Sequence, residues 1–89
     1  MRIKNNLILR QIGNTWAIFP ISDALTDYGN IMKLNETGAF MWNMLKDGCT
    51  REELVHALIK EYSIDSDKAE ASADSFLTLL DTYHILIHS

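Results

Sequence analysis

A chain of 89 residues, 47% of them hydrophobic, can bury one core but cannot enclose a large substrate, so any sizeable partner must lie on its surface. The net charge of -4 is unevenly held: from Thr50 onward only Arg51, Lys60 and Lys68 face eight carboxylates, whereas before it bases slightly outnumber acids. The single cysteine, Cys49, excludes an internal disulfide and leaves a cysteine-based metal site without partners. No apolar run has signal-peptide or membrane-spanning form, so the reading is a soluble cytoplasmic protein with no membrane partner.

The first elements read as strands. NLILRQI and TWAIFPI flank Gly13-Asn14, a pair that tolerates positive φ, and this predicts a hairpin. Pro20 has no amide hydrogen for a ladder and belongs near a strand end or an edge, with the polar SDALTDYGN following as a loop. A short third strand, NIMKL from Asn30 to Leu34, runs directly into a helix cap.

After Leu34 the hydrophobic period changes from about two residues to about 3.6. Asn35 caps helix one, Glu36 suits its first turn, and Asp47-Gly48 stops it. Thr50-Arg51-Glu52-Glu53 then has capping-box spacing. Leu54, Val55, Leu58, Ile59 and Tyr62 fall on one face of helix two, and Glu52, His56 and Lys60 on the other. Helix three is predicted from a Ser66 cap to about Tyr83. Its apolar stripe is Ala69, Ala73, Phe76, Leu80 and Tyr83, its acidic stripe is Glu70, Asp74 and Asp81, and Leu77 lies on the border. ILI near the end reads as a further short strand. The order predicts an α+β fold in one domain, residues 1–89, with a three-stranded antiparallel sheet packed on three helices.

Nothing in this pattern assembles a catalytic set, and no metal or cofactor is expected. His84 and His88 lack a third ligand, and His56 sits between Glu52 and Lys60 with no nucleophile beside it. Cys49 precedes a helix N-terminus, which would lower its pKa, but no base accompanies it. The acids of helix three are spread along a helix, whereas a calcium loop gathers its oxygens around a turn. Helix one carries the odd feature. Gly38, Met41, Trp42 and Leu45 form its core face, yet Phe40 and Met44 project beside Glu36, Asn43 and Asp47, where either the protein's own sheet or a partner covers them.

LNETGAFMW, DGCTREELVHALIKEY and KAEASADSFLTLLDTYHIL, in this order and spacing, resemble the PqqD-like family, named after pyrroloquinoline quinone biosynthesis protein D. The resemblance runs from about Leu7 to Leu86. It implies a RiPP recognition element of winged helix-turn-helix-like shape. Such domains bind the leader segment of a ribosomally made precursor peptide and present its core to a modifying enzyme, often a radical SAM protein, without being catalysts themselves. Related elements serve several peptide pathways, so the family name does not fix the product.

The resemblance further implies that the leader adds as a strand beside Asn30, Ile31, Met32, Lys33 and Leu34, in a groove walled by Ala73, Asp74, Leu77, Leu80 and Asp81 of helix three. The two acids would favour a leader carrying Lys or Arg. Phe40 and Met44 would then serve the modifying enzyme or self-association into a homodimer. Two departures stand out: His84 occupies a place where many relatives have Gly, and the SDALTDYGN loop is longer than a tight hairpin. A winged-helix shape also suits a DNA-binding regulator. The recognition region is acidic, however, and Lys33, Lys46, Arg51 and Lys60 do not cluster, so no nucleic-acid partner is expected.

Overall fold

The computed structural model describes residues 1–20 and 32–88. In chain order the elements are β1 (Arg2–Ile3), β2 (Leu7–Ile12), β3 (Thr15–Pro20), β4 (Met32–Leu34), α1 (Glu36–Asp47), α2 (Arg51–Tyr62), α3 (Ser66–Thr82) and β5 (Leu86–Ile87). The fold is α+β, with, among the described residues, three helices and an antiparallel sheet in the order β2-β3-β4. Two compact units share the chain: Asn5–Phe40 forms one, and Met1–Lys4 joins the segment from Met41 onward in the other.

In the first unit Ile12 pairs with Thr15 across a two-residue turn. Gly13 has φ 61 and Asn14 does not share its positive φ, the sign pattern of a type II′ turn, whose twist matches that of the flanking strands. Nothing lies within 4 Å of a Cβ built on Gly13, so backbone conformation alone asks for glycine there. The hairpin then runs in register from Ile12–Thr15 to Leu7–Pro20. β4 adds to β3 through Trp16–Leu34, Ala17–Lys33 and Ile18–Met32. On one face of this sheet Ile18, Met32 and Leu34 are buried.

The end of β4 is fastened to the start of α1. Asn35 Oδ1 accepts the Gly38 N–H at 2.8 Å, and the Asn35 carbonyl accepts the Ala39 N–H at 2.9 Å, so Asn35 is the N-cap its chemistry suggested. A Cβ on Gly38 would stand 3.2 Å from the Leu34 Cβ; glycine lets the first helical turn close against the buried end of the strand.

The second unit is built on α2 and α3. The Glu53 N–H donates to Thr50 Oγ1 at 3.0 Å and the Thr50 N–H to Glu53 Oε1 at 2.9 Å, a complete capping box. Leu54, Val55 and Leu58 are buried, Ile59 and Tyr62 half-buried, and Glu52, His56 and Lys60 exposed, as the spacing predicts. The helix ends at Ser63 in a left-handed conformation, φ 56, with no glycine to mark the stop.

α3 differs from the sequence reading in three places. Its cap is Asp65, whose Oδ1 accepts the Lys68 N–H at 2.8 Å, and Ser66 is the first helical residue. A carboxylate at this place meets both the free amides and the positive end of the helix dipole, which favours Asp65 over the neighbouring hydroxyl. Leu77 is buried with Ala69, Ala73, Phe76 and Leu80, whereas Tyr83 leaves the helix and is 45% exposed.

Past α3 the chain turns at His84, φ 58, and β5 pairs with β1 through Arg2–Ile87 and Ile3–Leu86. The Lys4 N–H donates to the Ile85 carbonyl at 3.1 Å and the Cys49 N–H to the Met1 carbonyl at 2.9 Å. Among the described residues no helix is long and apolar enough to cross a membrane.

Candidate functional site

Among the described residues no strand pairs with the outer side of β4, and which groups point there follows from the hairpin beside it. Across a two-residue turn the closing pair, Ile12–Thr15, exchanges both of its hydrogen bonds, and in an antiparallel ladder such pairs alternate with non-bonded ones. On β3, therefore, Thr15, Ala17 and Phe19 turn their peptide groups toward β2, while Trp16, Ile18 and Pro20 turn theirs toward β4. Trp16 bonds with Leu34 and Ile18 with Met32. Lys33, paired with Ala17 in a non-bonded position, points its N–H and C=O away from the sheet.

Pro20, the next residue of β3 aimed toward the β4 side, has no amide hydrogen to donate to a ladder. Lys33 is exposed, whereas Met32 and Leu34 on either side are each 6% exposed and anchor the strand. Of the strand expected to bind peptide, Met32, Lys33 and Leu34 are thus in place, and Asn30 and Ile31 lie outside the described residues.

On α3 the five expected wall residues divide. Ala73, Leu77 and Leu80 are buried. Asp74 is exposed but engaged: its Oδ1 accepts from Arg51 Nε at 2.6 Å and its Oδ2 from Arg51 Nη2 at 2.8 Å. Hydrogen bonding to the guanidinium, with its charge in support, holds the Asp74 carboxyl below its ordinary value and raises Arg51. Asp81 lies 2.7 Å from His88 Nε2. Sequence spacing placed these acids on one stripe but could not find the bases, because Arg51 comes from α2 and His88 from beyond β5.

Phe40 and Met44, four residues apart on α1, are both half-buried. Cys49 is also half-buried, and its thiol moves opposite to expectation. Burial pushes it above its ordinary 9.0, the Glu53 carboxylate adds to the shift, and the N-terminal ammonium only partly opposes it. The helix start that would have activated Cys49 already has its Glu53 amide engaged by Thr50 Oγ1 and carries the Glu53 carboxylate. Among the described residues no group of His, Cys, Asp and Glu is arranged to hold a metal ion.

Two solved structures share this fold. TbiB1 in complex with the TbiA(beta) leader peptide superposes with a TM-score of 0.71 at 23% identity, covering 100% of this chain and 99% of that one. Lasso peptide synthetase B1 complexed with the leader peptide gives 0.70 at 20% identity, covering 98% and 96%. No curated protein matches the sequence significantly. The family described as coenzyme PQQ synthesis protein D (PqqD) matches residues 15–86, from the first residue of β3 to the first residue of β5. By that match, the chain belongs to the PqqD family.

Proposed function

We propose that residues 1–89 act as one non-catalytic recognition domain, a RiPP recognition element, that takes up the leader segment of a precursor peptide by strand addition to β4 and presents it to a modifying enzyme. The observation that carries this reading is the outward peptide group of Lys33 on an edge strand anchored by buried neighbours. A peptide laid along such an edge gains ladder hydrogen bonds whatever its sequence, and side chains then supply selectivity. Both structural neighbours hold a leader peptide, which supports assigning the same kind of ligand here. Phe40 and Met44 are proposed to meet the modifying enzyme, for which a radical SAM protein fits the family, or a second copy of the chain. Arg51 is engaged with Asp74, so one of the few bases available for phosphate contacts is already neutralised, and a nucleic-acid role is not favoured.

The test is a titration of the purified protein with precursor peptides encoded beside its gene, followed by amide-to-ester replacement. An ester at Lys33 removes the outward donor and should weaken binding roughly two- to tenfold, the worth of one backbone hydrogen bond. The same replacement at Leu9, whose peptide group faces outward on the opposite edge of the sheet, should leave affinity unchanged. Equal affinities for the Lys33 ester and the unmodified protein would refute strand addition at β4.

A further inference from the structure

Resting on the strand-addition reading, we infer that the peptide segment pairing with β4 carries a carboxylate side chain at the residue opposite Lys33, with apolar residues on either side. Directly paired residues of neighbouring strands project from the same face of a sheet. The pairs Arg10–Ala17 and Ala17–Lys33 therefore place three side chains in one row across the sheet, two cations with an alanine between them. Arg10 and Lys33 are exposed, and neither forms an ion pair among the described residues. The neighbouring pairs on that face are Ile8–Phe19 and Ile12–Thr15, so they supply no acid.

A strand added to β4 continues the row. Its residue opposite Lys33 projects from the same face in either strand direction, about 5 Å from the β4 backbone. A carboxylate there meets Lys33 directly, whereas a Lys or Arg would stand against a like charge; Arg10, three strand spacings or about 14 Å away, adds only a weak, screened field of the same sign. The residues flanking it turn to the face of Met32 and Leu34, where apolar side chains extend the buried surface. The recognised pattern is apolar, acidic, apolar. Its charge is opposite to that of a leader chosen by Asp74 and Asp81, whose carboxylates already meet Arg51 and His88.

Nine-residue peptides displayed from a random library and selected on the immobilised full chain provide the probe. Selection on wild type should enrich Asp or Glu at one position between two apolar residues, and selection on Lys33→Glu should enrich Lys or Arg there. With a synthetic peptide from the wild-type pool, changing that acid to its amide should weaken binding about two- to fivefold at low salt. The difference should shrink as salt rises and be absent against Lys33→Gln. A pool that is sensitive to the Lys33 ester but shows no acidic preference, or one whose preference is unchanged on Lys33→Glu, overturns the inference and leaves strand addition standing. A pool insensitive to the ester overturns both.

Discussion

At the scale of single residues, His84 shows the cost of departing from glycine. It holds φ 58, where a Cβ crowds the following carbonyl by about 1–2 kcal/mol. Glycine removes that strain but enlarges the entropy of the unfolded chain by about 0.4–1 kcal/mol, so His84→Gly should raise stability by up to about 1 kcal/mol in urea denaturation. Asp74 gives a pH-dependent counterpart. Its folded pKa lies below the ordinary 3.8, so the Arg51 pair stabilises the fold above that value, and the contribution is lost as pH falls through the folded pKa. The gap between wild type and Asp74→Asn should be small, present at neutral pH, and closed in acid. Urea midpoints across that range measure it.

At the scale of elements, local chemistry made most of the chain legible. Asn35 and Thr50 were readable as caps because each has a hydrogen-bonding side chain directly before a period of about 3.6 residues. The hairpin was readable from Gly13-Asn14, and its dependence on chirality can be tested. Gly13→Ala should cost about 1–2 kcal/mol, whereas D-alanine, which prefers this φ and meets no neighbour within 4 Å, should cost nearly nothing; thermal melts of the synthetic proteins compare them. Other features were not legible. Ser63 ends α2 without a glycine, and adjacent Asp65 and Ser66 both carry capping side chains, so the choice falls to the modest preference of the helix dipole for a carboxylate. The outward aim of Lys33 needed the register of two strand pairs, which no local pattern contains. The bases beside Asp74 and Asp81 were hidden for the same reason.

At the scale of the whole molecule, long-range pairing was the least visible feature. β1 has two residues, too few to show any period, and its partner β5 lies at the far end of the described chain. Yet Ile3 is only 4% exposed, and the strand it belongs to closes the unit built on α2 and α3. Ile3→Ala should lower stability by about 2–5 kcal/mol, measured by urea denaturation, and should speed hydrogen exchange at Lys4, whose amide bonds to Ile85. The acidic stripe of α3 also changes character in this view, because tertiary partners pair two of its three acids, Asp74 with Arg51 and Asp81 with His88.

The alternating aim of the peptide groups along Met32–Leu34 bears on what would happen after a peptide has been modified. Within Met32–Leu34 only Lys33 turns its backbone outward, so under the proposed strand addition this stretch offers a guest about two main-chain hydrogen bonds, a small contribution to residence time. A longer open strand would hold its guest through many such bonds and would also zip onto other chains. Under the proposed reading, departure from this stretch is governed by side-chain fit, so the same edge would receive a peptide, let it go, and serve the next.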